Sequence, residues 1–109
     1  MNSPTDYQVP ASVLAGQHIF NTDITVEAEH CEAEPDVGLS EGYEVFSAKL
    51  VIDENLRARA VDRLSVWVQG SATPVDVAVD PECLAKCDSI EIDDDDLRNE
   101  LSQYLNSHP

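Results

Sequence analysis

Cys83 and Cys87 lie four residues apart in the stretch DPECLAKC, a spacing that turns both thiols to one side of a helical turn. His30 and Cys31, adjacent in another apolar run, could add two more ligands, and the four together have the chemistry of a zinc site. Their spacing argues against it. Structural zinc sites match one short Cys-to-Cys step with a second, and an adjacent His–Cys is a poor second step. Buried, reduced thiols are the simpler expectation. The run Asp93, Asp94, Asp95, Asp96 suggests a hard cation instead, yet it has neither the glycine that wraps a calcium loop nor the glutamate that closes one. We expect no metal and no cofactor.

Three histidines, His18, His30 and His108, could serve a serine or cysteine nucleophile, but no nucleophile elbow or phosphate-cradling glycine loop accompanies them. Carboxylates are so many that any acid–base pair drawn from them is arbitrary. The expectation is a protein that is not an enzyme.

Charge is the dominant feature: 22 Asp and Glu against 6 Lys and Arg, a formal net charge of -16. Such a surface repels nucleic acid, anionic membranes and acidic substrates. The expected partner is therefore a basic protein, above all a nucleic-acid-binding one, with no direct nucleic-acid or membrane binding. The stretch SIEIDDDDLRNELSQYL sets Glu91, Asp93, Asp94, Asp95 and Asp96 before a single arginine. A cap contributes about 1 kcal/mol and a first-turn carboxylate roughly 0.3 to 1 kcal/mol, which accounts for two of them. Unit charges about 6 Å apart in water repel by roughly 0.7 kcal/mol per pair, so the remainder needs another reason.

Glu27 and Glu29 extend the pattern from a strand, about 6.8 Å apart, and Glu32, Glu34 and Asp36 continue it into a loop. These acids, with Tyr43 as an aromatic anchor beside the loop, form the candidate partner-binding surface. Trp67, between Val66 and Val68, is expected in the core first, or else as an anchor on a sheet face.

Those side chains need a scaffold. At 109 residues and 42% hydrophobic content, the chain can make one core without disulfides. Three cysteines and a start unlike a signal peptide suggest reduced thiols and a cytoplasmic location, that of the host cell if a phage encodes the chain. No apolar run approaches the roughly 20 residues of a membrane span.

Residues 1–16, with two prolines and a glycine, read as an extended N-terminal arm, and residues 17–109 as a single domain. In HIFNTDITVEAEHCE, Ile24, Val26 and Ala28 alternate with Thr25, Glu27 and Glu29, the pattern of a half-buried strand. YEVFSAKLVI makes a second, antiparallel strand with Phe46, Ala48, Leu50 and Ile52 on one face. DENLRARAVDRL changes period: Leu56, Ala60 and Leu64 recur every fourth residue behind Asp53 as a cap. A strand is the competing reading there, because Leu56, Ala58 and Ala60 also alternate with Arg57 and Arg59.

Val66 to Val68, and Val75, Val77 and Val79, flank a turn and read as a hairpin. Asp80 and Pro81 open a short helical turn, SIEI is a further short strand, and Leu97, Leu101, Tyr104 and Leu105 stripe a final helix. The sum is an α+β fold: a single small domain, with a mostly antiparallel sheet of about four to five strands and one or two helices packed on one face.

In charge and size the whole chain resembles nucleic-acid mimics, the small acidic proteins by which phages block restriction or CRISPR machinery. That resemblance implies an inhibitor of anti-CRISPR or anti-restriction type, whose fixed carboxylates occupy the basic groove of a nucleic-acid-binding protein. The rival reading is a small acidic adaptor or assembly subunit whose charge serves only solubility or salt adaptation, with contacts through an apolar patch near Tyr43 or Trp67. A homodimer through the second face of the sheet is also compatible with the pattern.

Overall fold

Alternation along five strands and a 3.6-residue period along one helix place the apolar residues on facing surfaces, and the chain folds accordingly. The computed structural model describes residues 4–31, 42–59 and 61–107. Strands β1 (Thr5–Ala15), β2 (His18–Cys31), β3 (Gly42–Val51), β4 (Arg63–Val68), β5 (Val75–Ala78) and β6 (Ser89–Glu91) form one antiparallel sheet in the order β5-β4-β1-β2-β3-β6. Helices α1 (Glu54–Arg57), α2 (Pro81–Lys86) and α3 (Asp95–Ser107) complete it. This is the expected α+β domain, with six strands rather than four to five. Among the described residues no helix is long and apolar enough to cross a membrane.

The extra strand is β1, which occupies most of the stretch read as an extended arm. Val9, Ala11, Val13 and Ala15 are fully buried, and β1 pairs with β2 over its whole length and with β4 from Ala11 to Ala15. Gly16 takes a positive φ of 65°, which lets the chain reverse in two residues, so that Ala15 faces His18. Pro10 had argued against a strand, because proline cannot donate to a ladder. Its carbonyl accepts from the Gln69 N–H at 3.1 Å, so its backbone polar groups face β4 just beyond the last paired residue there. The missing donor falls where the ladder ends.

Ile24, Val26 and Ala28 of β2 are fully buried, and Ala48, Leu50 and Ile52 join them. Phe46 does not: the register shifts beside it, Glu27 facing Ser47 and Ala28 facing Val45, and its ring is left 41% exposed. Asp53 caps α1 by accepting from the Leu56 N–H at 2.8 Å, but the helix stops at Arg57. Leu64, placed in that helix by its period, starts β4 instead, because the apolar alternation of Leu64, Val66 and Val68 buries all three against the sheet's core face. Asp80 caps α2 with Pro81 at its first turn, as expected.

Leu56, Leu84, Leu97, Leu101 and Leu105 from the three helices enter the same core as the strands, so all three helices cover one face of the sheet. Leu101 is fully buried at the centre of that contact, whereas Ile19 is 65% exposed on a strand. Leu101→Ala is expected to lower unfolding free energy by about 2 to 5 kcal/mol in denaturant titrations. Ile19→Ser should stay within about 0.5 kcal/mol of the parent.

Candidate functional site

Strand register decides which side chains share the uncovered face. With Val9 opposite Ile24 and Tyr7 opposite Val26, the odd residues of β1 and the even residues of β2 turn toward the helices. Their neighbours turn away from all three. On that side Asp6, Gln8, Ser12 and Leu14 lie beside Ile19, Asn21, Asp23, Thr25, Glu27 and Glu29, with Ser65 and Trp67 of β4 on one flank and Glu44, Ser47 and Lys49 of β3 on the other. Hydroxyl and amide side chains bond across the strands. The Gln8 amide donates to Thr25 Oγ1 at 3.0 Å, Ser12 Oγ donates to Asn21 at 3.3 Å, and Ser65 Oγ donates to Asp76 at 2.7 Å.

The face is polarised along its strands. Its hairpin end carries the apolar Leu14, Ile19 and Trp67, with one charge of each sign, Arg63 and Asp76, at its β4–β5 edge, while among the described residues its far end carries Asp6, Asp23, Glu27, Glu29, Glu44 and Glu91 around Lys49. Asp6 is the direct cross-strand partner of Glu27, and Glu44 that of Glu29. Such partners hold their Cβ atoms about 4.5 to 5.5 Å apart, where like charges destabilise a sheet. Glu29 is half-buried and the other five acids are exposed.

Three of those acids escaped sequence reasoning. Asp23 shares the alternation of Glu27 and Glu29 and was legible. Asp6 was hidden in the stretch read as an arm, and Glu44 faces Glu29 only because of the register shift at Phe46. The signal for Asp6 was the two-residue turn at Gly16, which makes it the partner of Glu27 by simple counting.

The aspartate run is placed differently. Asp94 caps α3, accepting from the Leu97 N–H at 3.1 Å, and its carbonyl accepts from the Arg98 N–H at 3.0 Å. Arg98 reaches back along the chain, with Nη2 2.6 Å from Asp93 and Nη1 3.5 Å from Asp95. Asp95 and Asp96 lie in the first turn, where the helix dipole favours them. Each aspartate thus has a local role at the helix start, where four carboxylates share the one guanidinium of Arg98. These contacts are solvent-exposed, and each ion pair is worth less than about 1 kcal/mol.

Tyr43 sits on the helix side of the sheet, away from the acidic face. Its ring meets Tyr7 edge-on at 5.6 Å and His30 at 5.0 Å, and its carbonyl accepts from Ser102 Oγ at 2.8 Å. Trp67 takes the second of its two expected places, a sheet face rather than the core: its neighbours Val66 and Val68 are buried, and it alternates with them onto the open face, half-buried beside Leu14. Glu32, Glu34 and Asp36 lie outside the described residues.

The paper zinc site is not assembled. His30 faces Tyr43 at one end of β3, whereas α2 leads into β6, which pairs with β3 at Val51, eight residues or about 26 Å along the strand. Cys83 and Cys87 do meet, with Sγ atoms 2.8 Å apart. That hydrogen bond raises the Cys83 thiol above the ordinary thiol range, and desolvation and the nearby Asp80 add to the effect.

Asp94→Ala is expected to lower stability by about 1 kcal/mol in thermal melts through loss of the cap, while Asp96→Asn should change it by less than about 0.5 kcal/mol. Because a raised pKa leaves less thiolate at a given pH, Cys83 should alkylate more slowly than a free cysteine near pH 8, read by peptide mass spectrometry. Cys87→Ala, which removes the hydrogen bond, should speed that alkylation. The chain matches no protein-family model, no curated protein and no solved structure, so its function has to be read from this geometry.

Proposed function

We propose that this chain is a non-enzymatic acidic binding protein that presents the open face of its sheet to the basic groove of a nucleic-acid-binding protein and so inhibits or regulates it. The observation that carries the reading is the opposition of like charges across neighbouring strands, Asp6 to Glu27 and Glu29 to Glu44. Solubility calls for charge, but a solubilising coat is best spread out. Carboxylates set directly opposite one another cost a few tenths to about 1 kcal/mol per pair. A binding partner that supplies cations offsets that cost.

Magnitudes point to the kind of groove. From Asp23 to Glu29 the acids span about 20 Å along β2, and among the described residues at this end the six carboxylates less Lys49 leave a net charge of -5. Over the same length one nucleic-acid strand carries about 6 charges and a duplex about 12. The face therefore approximates a single phosphate row, suited to a groove that holds one strand or one backbone of a duplex. Rigid strands present it without the ordering cost of a flexible acidic tail. Phage inhibitors of CRISPR and restriction enzymes use this chemistry, and a cytoplasmic site of action follows from such a partner.

The adaptor reading draws on the apolar end of the same face and requires binding that ignores salt. The two separate in a pull-down with the immobilised chain at roughly 50 and 500 mM salt. Retention of nucleic-acid-binding proteins at low salt only, with stepwise loss as Asp6, Glu27, Glu29 and Glu44 become their amides, is the expected result. Retention indifferent to salt and to those amides rejects the acidic face in favour of the adaptor. In thermal melts at low salt, Asp6→Asn should raise stability by about 0.2 to 1 kcal/mol by relieving the pair with Glu27, a gain that shrinks as salt screens the repulsion.

A further inference from the structure

We infer that the apolar end of the open face is an anchor pocket, taking one apolar side chain of a basic partner segment whose cations lie over the acidic end. The inference rests on the acidic-face reading above and adds to it a contact that charge alone does not supply. Leu14, Ser65, Trp67, Ser71, Ala72 and Pro74 line a cleft of about 340 Å3. Ile19, the cross-strand neighbour of Leu14, stands beside it with 65% of its surface exposed. The cleft lies at the small end of the range for ligand pockets and has room for one large side chain. A tryptophan wall in a cleft is the kind of feature on which binding energy concentrates.

Charge complementarity chooses the occupant. A second copy of the chain would bring its own formal net charge of -16 to a surface already negative, and an anionic lipid surface would be repelled in the same way. A basic segment satisfies both ends at once. Ile19 is four residues from Asp23 and ten from Glu29, about 14 and 34 Å along the strand. A helix of about 20 residues spans roughly 30 Å, enough to seat an anchor at one end and cations over the acids.

Two synthetic 20-residue peptides of equal positive charge test this, one with a leucine pair at one end and the other with serines there. Trp67 is the only tryptophan, so its emission reports the cleft directly. The leucine peptide is expected to bind about tenfold more tightly at moderate salt, consistent with one buried anchor, and to shift the Trp67 emission to the blue. The serine peptide should leave the emission where it is. Trp67→Ser should bring the leucine peptide down to the affinity of the serine peptide, and Ile19→Ser, which keeps the fluorophore, should reduce both the preference and the shift.

Equal binding of the two peptides, or a preference that survives Trp67→Ser, overturns the anchor while leaving the acidic face standing. Binding of both peptides that does not weaken in the Asp6→Asn, Glu27→Gln, Glu44→Gln triple variant overturns the acidic face itself. A concentration-dependent dimer in sedimentation that loses its association on Trp67→Ser overturns the anchor in favour of a second copy.

Discussion

The register of the β1–β2 hairpin is the constraint on which the rest depends. One two-residue turn at Gly16 pairs Ala15 with His18 and thereby every residue from Thr5 to Ala28. A slip of one position would turn one strand over relative to the other; were β2 to move, Ile24 and Val26 would go to solvent and Asp23 and Glu27 into the core. Each buried aliphatic side chain contributes roughly 1.5 to 3 kcal/mol, so the core fixes the register far more strongly than the acids can oppose it. The charge pattern of the open face is thus a consequence of packing on the other side. It is held in place by groups on the opposite side of the sheet.

Within that frame the acids divide into two populations. At the start of α3 they sit among their own satisfiers: a cap to Leu97, two contacts with Arg98 and a favourable dipole. On the sheet, carboxylates stand opposite carboxylates while the neutral residues between them, Gln8 with Thr25 and Ser12 with Asn21, find hydrogen-bonding partners. Elsewhere the cations of the fold are used for construction: Arg57 of α1 reaches the Cys87 carbonyl at 3.4 Å and Asp88 at 3.1 Å, tying α1 to the end of α2.

In the proposed function, a face with acids at one end and Trp67 at the other divides the labour of recognition. Long-range charge would steer a basic partner and orient it, an effect that weakens with salt. A desolvated apolar contact acts only at short range and mainly slows departure. Because both ends lie on the same rigid strands, their separation is fixed. That fixed separation is a geometric specificity which neither charge nor apolar area has alone.

Local patterns in the chain were enough to specify most of the elements. Alternation marked β2, β3 and the β4–β5 hairpin, Asp53 and Asp80 marked two helix starts, and the leucine stripe marked α3, because each of these depends on neighbours a few residues away. The excess of acid was equally plain from composition. Only the tertiary structure decided which acids matter together. Arg98 closes on Asp93 and Asp95 by a back-turn that composition does not reveal, and Asp6 meets Glu27 across a strand pair 21 residues apart in sequence. Pro10 hid β1, since its tolerance depends on where the β4 ladder ends. Trp67 reads as core by composition and lies on the open face by parity, because a strand set between two buried valines must turn its middle residue the other way.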